Sequence, residues 1–471
     1  MIENFGWLSL LPPLVAIFLA IRTKQVVVSL FVGIWLGHII LNNGNPLLGF
    51  IHGIDACINV LTDKGNTQVI VFSALVGALL ALVQVSGGMN GFVNSAAKRG
   101  LISTPRRAGL LTWLVGMLIF VESNMSILVS GAVARPIFDK LRISREKLAY
   151  ICDSTSAPRS IILPLNAWGA FVIGLLADQG IENPVKVMIW SIPFNIYALV
   201  AITMVLVLII TNRDFGPMKK AQERALSGKV LRDGAEPLVQ TEVIQTPAKE
   251  GIPHRAINML LPVLIMVIMM PLALYLTGDG NIMRGSGSAS VLWAVLTGVL
   301  VAAIMYRVQG ILKTGEIIHH IMSGLGGMIP LAILMLFAFA IGDVCKELGT
   351  GPYVASVTHS FVSPKIVPTL LFLVSCVIAF STGTSWGTFA IMIPIGVPMI
   401  SLLGLHPGFT VAAILGGGVF GDHCSPISDT TIISSMAAAT DHVDHVRTQI
   451  PYALFSASIA ILGYLIIGLI L

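Results

Sequence analysis

Residues 421–431 read GDHCSPISDTT and lie between two apolar runs, FTVAAILGGGVF and IISSMAAA. Asp422, Ser425, Ser428, Asp429 and Thr430 gather carboxylate and hydroxyl oxygens in one short stretch. Hard oxygen ligands suit a small hard cation. Pro426 breaks the helical hydrogen-bond ladder and frees backbone carbonyls. Freed carbonyls and half-helix C-termini suit a cation, and the N-terminus of the next half-helix suits an anionic group. A cap alone would need one acid, so the site reading of Asp422 outweighs the capping one. For Asp429 the competing reading is compensation of a helix N-terminus, and the site reading again carries more weight.

A second stretch has the same character. DSTSAP at 153–158 offers Asp153, Ser154, Thr155 and Ser156 ahead of a proline. Polar breaks also interrupt apolar segments at VESNMS (121–126), with Glu122, Ser123 and Asn124, and at STGTSWGT (381–388), with Ser381, Thr382, Thr384 and Ser385. Glu122 reads as a ligand ahead of a solvated turn. The hydroxyl-rich tip reads equally as a binding element or a polar turn, and Asp343 equally as site or helix-end cap. His423 is more readily structural than a proton carrier, although histidine titrates near neutrality. GGGVFG (416–421) matches GxGxxG, but a membrane helix precedes it rather than a strand, so it reads as close packing. DHVDHVRTQ (441–449) has metal-capable residues and reads as a solvated helix end.

These acids must be positioned by apolar helices. Only 11% of the 471 residues are charged and 55% are hydrophobic, against about 25% charged in an ordinary soluble domain. A bilayer-crossing helix needs roughly 20 apolar residues. Hydropathy places helices near 4–21, 25–42, 66–86, 108–138, 148–178 and 187–211, then near 257–276, 289–306, 327–344, 367–403, 408–440 and 450–471. Four of these are broken: 108–138 and 367–403 at the two tips, 148–178 at CDSTSAPRS (152–160), and 408–440 at GDHCSPISDTT. The first stretch reads as a retained span rather than a cleaved signal. Four acids in such spans, Asp153, Asp422, Asp429 and Glu122, would cost roughly 10 kcal/mol if ionised and unpaired, comparable with a domain's whole stability. A bound cation, a proton, or Arg159 and Arg135 must therefore neutralise them.

Features recur in the same order in the two halves, ending with DSTSAP against DHCSPI, which aligns Asp153 with Asp422. The chain reads as an internal duplication: residues 1–211, a cytoplasmic linker at 212–256, and residues 257–471. Basic residues, among them Arg22, Lys24, Lys98, Arg99, Arg307 and Lys313, fall on one side if 108–138 and 367–403 are re-entrant hairpins. Each half then has five spans plus one hairpin, and the halves are inverted. The expectation is an all-α polytopic membrane protein with about ten spans and two hairpins, the architecture of secondary transporters with a midplane site. No P-loop, HExxH or nucleophile elbow points to an enzyme, and no basic aromatic patch points to nucleic acid. The five cysteines form no CxxC pair, so no cofactor is expected.

GDHCSPISDTTIISS followed by DHVDHVRTQIPYAL resembles the signature of the NhaC family of sodium/proton antiporters. The resemblance covers nearly the whole chain. It implies a multi-pass protein of the inner (plasma) membrane with a scaffold, a mobile transport domain, elevator-like motion and a homodimer. It also implies that sodium and protons are carried at Asp153, Asp422 and Asp429, with the hydroxyl residues named above as further ligands. His423 and Ile432 depart from the lysine and asparagine of the family's simple exchangers. The alternative this implies is sodium-coupled transport of an amino acid, methionine among them, or of a small carboxylate.

Overall fold

The computed structural model describes residues 5–23, 25–92, 104–120, 123–164, 166–237, 248–282 and 285–471. Glu122, Lys24, Lys98 and Arg99 lie outside the described residues. Among the described residues the chain is helical with no strand, and 10 helices are long and apolar enough to cross a membrane. The first half runs α1 (Leu11–Thr23), α2 (Val26–Leu41), α3 (Pro46–Val60), α4 (Lys64–Val85), α5 (Pro105–Leu118), α6 (Ser123–Lys140), α7 (Arg145–Ile162), α8 (Ala167–Asp178), α9 (Pro184–Ser191) and α10 (Ile196–Thr211). α11 (Gly216–Leu226) lies in the polar linker. The second half comprises α12 (Ile257–Thr277), α13 (Gly287–Val308), α14 (Thr314–Gly327), α15 (Ile329–Glu347), α16 (Thr350–Phe361), α17 (Val367–Thr382), α18 (Ser385–Leu403), α19 (Pro407–Cys424), α20 (Asp429–Ala438) and α21 (His442–Ile470).

Side-chain caps decide where many of these helices begin. Asn45, Asp63, Thr104, Ser144, Asn166, Ser286, Ser428 and Asp441 each accept from a backbone N–H in the first turn. Three short helices, α3, α14 and α16, escape the hydropathy reading because at 15, 14 and 12 residues they fall short of a bilayer span.

The expected break at 152–160 is corrected. α7 continues through Pro158 to Ile162, the chain leaves the helix at Leu163 instead, and Asn166 caps the next one. Proline removes one helical hydrogen bond, while the neighbouring hydroxyls tie back into the helix: Thr155 Oγ1 donates to the Ile151 carbonyl (2.6 Å) and Ser156 Oγ to the Asp153 carbonyl (3.1 Å). Asn166 stabilises the true break. Its Nδ2 donates to the Ser160 and Leu163 carbonyls (3.0 and 2.6 Å) while its Oδ1 caps α8.

α19 lies against α17 at backbone distance. A Cβ on Gly417 would stand 2.3 Å from the Phe372 carbonyl oxygen, and one on Gly421 2.4 Å from that of Cys376. The glycines of 416–421 are thus packing residues, as expected. Gly417→Val forces α17 away and is expected to destabilise the detergent-solubilised protein by about 1–3 kcal/mol, read as a lowered midpoint of thermal unfolding.

The linker is clamped to the helices. Lys147 pairs with Asp214 (3.0 Å), Arg224 with Glu146 (2.6 Å), Arg232 with Asp444 (2.9 Å) and Lys249 with Glu316 (2.7 Å). The Lys249 ammonium holds the Glu316 carboxyl below its usual range.

Candidate functional site

α7, α19, α20 and α21 converge on a buried polar cluster. Asp153 stands midway along α7, Asp422 in the last turn of α19, and Ser428 caps α20; their exposures are 0%, 1% and 0%. The α19–α20 break is the one expected at Pro426, with Ser425–Ser428 as the connecting turn.

The Asp422 carboxylate is held by two hydroxyls. Ser385 Oγ, in the first turn of α18, donates to Oδ2 at 2.8 Å, and Ser428 Oγ donates to Oδ1. Thr430 Oγ1 lies 3.1 Å from Ser428 Oγ, and Ser425 Oγ accepts from the Ile427 N–H at 3.4 Å. Gly383 allows α18 to begin there. It turns the α17–α18 tip at φ +69°, and a Cβ on it would stand 2.7 Å from the Ile427 carbonyl oxygen.

Thr431 joins the two acids. Its Oγ1 donates to Asp153 Oδ2 (3.3 Å) and lies 3.4 Å from the Asp422 carbonyl oxygen. Gln449 of α21 donates from Nε2 to the same Asp153 Oδ2 at 2.6 Å and to the His423 carbonyl at 2.8 Å. Among the described residues Asp153 Oδ1 has no hydrogen-bond partner, and the nearest cationic candidate is His423 Nε2 at 4.0 Å. That ring is committed elsewhere. Nε2 lies 3.3 Å from the Asp153 carbonyl, which only accepts, so Nε2 carries the hydrogen and Nδ1 accepts from the Tyr197 hydroxyl at 3.0 Å. His423 is a satisfied neutral histidine in this network. Tyr197→Phe leaves a buried acceptor unpaired and is expected to cost about 1–3 kcal/mol of stability, with sodium-dependent transport retained in thermal-shift and uptake assays run side by side.

Arg159 lies fully buried with its guanidinium on the open end of α5. Nη1 donates to the carbonyls of Gly116 and Ile119 (2.9 Å to the latter), with Ser126 Oγ at 3.1 Å. It therefore satisfies the helix-end carbonyls of the first tip, and no ion pair joins it to Asp153 among the described residues. Arg135 is only half-buried.

The expected residues divide by position. Asp422, Ser428, Thr430 and Ser385 share one cluster, with Ser425 in the adjoining turn, and Thr431 bridges that cluster to Asp153. Ser154, Thr155 and Ser156 are buried around Asp153 on α7. Thr382 is buried with its hydroxyl donated to Ile378, and Thr384 is half-buried at the tip. Ser123 is buried and Asn124 half-buried at the start of α6, where Asn124 Oδ1 has no partner among the described residues. Asp429 is exposed in the first turn of α20. Asp343 is half-buried near the end of α15.

The stretch 441–449 is a correction. His445 and Gln449 have no exposure, so the segment is not a solvated face throughout. The i, i+4 spacing of His445 and Gln449, running into an apolar span, was the available signal. Nothing local in the sequence marks Tyr197 as the partner of His423 or Thr431 as the partner of Asp153.

Residues 170–469 match the model of the Na+/H+ antiporter family. The chain belongs to that family. An uncharacterized protein of Haemophilus influenzae is 32% identical across 98% of this antiporter-family chain and 90% of its own length. A Bacillus subtilis protein named putative amino acid transporter YuiF is 23% identical, covering 88% of this chain and 90% of its own. The crystal structure of the Alcanivorax borkumensis YdaH transporter superposes with a TM-score of 0.56 at 14% identity, over 89% of each chain, a likeness of fold. This member of the antiporter family is a multi-pass transporter of the plasma membrane, not an enzyme.

Proposed function

We propose that the protein is a sodium-coupled secondary active transporter that exchanges Na+ for H+ at the Asp153–Asp422 cluster. The observation that carries this is Asp153 Oδ1, an acid oxygen of a fully buried residue with no hydrogen-bond partner among the described residues. A buried, unpaired carboxylate oxygen is too costly to persist. It is relieved by a proton or by a cation, and one site that cannot hold both supplies the competition an exchanger needs. Asp422, with Ser385 and Ser428 on its oxygens, provides the second carboxylate for the cation.

The proposal includes the inverted duplication, with residues 1–211 and 257–471 as repeats and 212–256 as the cytoplasmic linker. The pairing of a tip and an interrupted segment in each half supports it: Arg159 of α7 holds the end of α5, and Asp422 of α19 holds the start of α18. Access alternates by an elevator-like displacement of the site-bearing helices, and each protomer of a homodimer carries its own site. Asp429, exposed at the start of α20 seven residues beyond Asp422, is a further ligand of the cation.

A second reading has its own support. YuiF is named a putative amino acid transporter and matches nearly the whole chain, and the α20 N-terminus suits a substrate carboxylate. Proteoliposomes separate the two. A sodium gradient alone is expected to change lumenal pH. Sodium-driven uptake from a panel of amino acids and dicarboxylates, with no solute-free pH change, replaces the exchange reading by the second.

A further inference from the structure

We propose that His442, Ser435 and His445 form a relay that carries one proton from the surface end of α21 to the interior beside Asp153; this rests on the cation–proton exchange reading above. Counting hydrogens along the network leads there. Gln449 Nε2 uses both hydrogens on Asp153 Oδ2 (2.6 Å) and the His423 carbonyl (2.8 Å). Gln449 Oε1 therefore accepts from His445 Nε2–H at 3.0 Å. A neutral His445 then has a bare Nδ1, 2.9 Å from Ser435 Oγ.

The other end has the same requirement. His442 Nε2 lies 2.6 Å from the Pro426 carbonyl, which only accepts, so that nitrogen carries a hydrogen. A neutral His442 has a bare Nδ1, 3.0 Å from the same Ser435 Oγ. One hydroxyl hydrogen thus faces two bare ring nitrogens, with the Thr431 carbonyl 2.9 Å away as a third acceptor. A single added proton closes the network. His442 Nδ1–H donates to Ser435 Oγ, and the Ser435 hydroxyl donates to His445 Nδ1.

The same geometry moves the charge. The His442 Nδ1 proton passes to Ser435 Oγ while the Ser435 hydroxyl proton passes to His445 Nδ1. His442 ends neutral, His445 ends cationic, the hydroxyl is regenerated and one positive charge has gone inward. His442 is half-exposed and His445 has no exposure, so the proton rests at His442 and visits His445. Gln449 passes no proton. It fixes His445 against the carboxylate it also binds, so a cationic His445 and a sodium ion at Asp153 repel each other. The charged groups on the elements packed around the pair include Asp153 and Arg145 on α7, Asp139 on α6, which pairs with Arg145, Asp422 on α19, Asp429 on α20, Asp441, Asp444 and Arg447 on α21, and Arg232 of the linker. Arg232 pairs with Asp444, and Arg145 donates to the Ala439 carbonyl.

The test uses purified full-length protein with two readouts: equilibrium sodium binding by calorimetry, and sodium-driven proton movement in proteoliposomes as pH at the His442 face is varied. Ser435→Ala and His442→Gln are expected to bind sodium within about twofold of the unmodified protein, which also reports folding. Both should move protons at least about tenfold more slowly and lose the dependence of rate on pH at the His442 face. Ser435→Thr, which keeps the hydroxyl, should recover both. Unmodified proton rates and pH profiles in Ser435→Ala and His442→Gln overturn the relay. If Ser435→Ala binds no sodium, the solvent-facing His442→Gln decides alone. If the unmodified protein binds sodium but moves no proton without an organic solute, the exchange reading fails by itself. The relay is then judged on the pH profile of sodium-driven amino acid uptake: loss of that profile in His442→Gln supports it, and an unchanged profile overturns it.

Discussion

Asp422→Asn is expected to abolish sodium-driven transport, by at least about 100-fold, in a protein that still inserts and binds detergent as a folded monodisperse species. The fold survives because both hydroxyls on the carboxylate adapt. Ser385 Oγ has the Gly418 carbonyl at 3.1 Å as another acceptor, which lets its own oxygen accept from the new amide. Ser428 still caps α20 through its oxygen, which faces the Thr431 N–H at 3.5 Å. The loss falls on the cation. Removing one partner of a buried charge pair costs about 3–5 kcal/mol, which corresponds to roughly 150- to 4,000-fold in affinity. Calorimetric sodium binding and radiotracer sodium uptake on the same preparation check this. Sodium-dependent transport at the unmodified rate would remove Asp422 from the site.

Asp153→Asn is the second large effect, and it differs in kind. The oxygen that accepts from Gln449 and Thr431 must remain an oxygen, so the amide nitrogen takes the Oδ1 position. That position has no hydrogen-bond partner, and the ring nitrogen 4.0 Å away already carries a hydrogen. An unpaired buried donor costs about 1–3 kcal/mol, so this variant should lose thermal stability as well as transport. A fall of tenfold or more in sodium-driven proton movement, with a lowered unfolding midpoint, is the expected pair of results. Asp153→Asn with full stability and full exchange would refute the assignment of Oδ1 as the oxygen that awaits a cation or proton.

The two acids were legible for a reason that does not depend on tertiary structure. A carboxylate in an apolar run is so costly that its presence already signals a partner, and proline with clustered hydroxyls beside it marks where the backbone opens. The α19–α20 break follows from that logic and the α17–α18 tip from the hydroxyl- and glycine-rich stretch 381–388, and both stand where expected. The same logic misplaced the break near Asp153. Pro158 sits inside α7, and the helix ends where Asn166 collects the carbonyls freed at Ser160 and Leu163. A proline removes one hydrogen bond, and whether the helix stops depends on what else satisfies the freed groups.

The partners were not legible. Gln449 and His445 sit in a segment whose charged neighbours, Asp444 and Arg447, suggest solvent, and Tyr197 lies 226 residues from the histidine it binds. By itself the sequence determined that this is a helical membrane transporter with acids at interrupted segments, because bilayer length, apolar composition and the cost of buried charge act locally along the chain. Only the tertiary structure decided that Thr431 bridges Asp153 to Asp422, that Arg159 serves a helix end, and that Asp429 is exposed in the first turn of α20. Those outcomes depend on which helices meet and at what rotation. Hydrogen-bond satisfaction in a buried cluster is settled between elements far apart in sequence, where no periodicity records it.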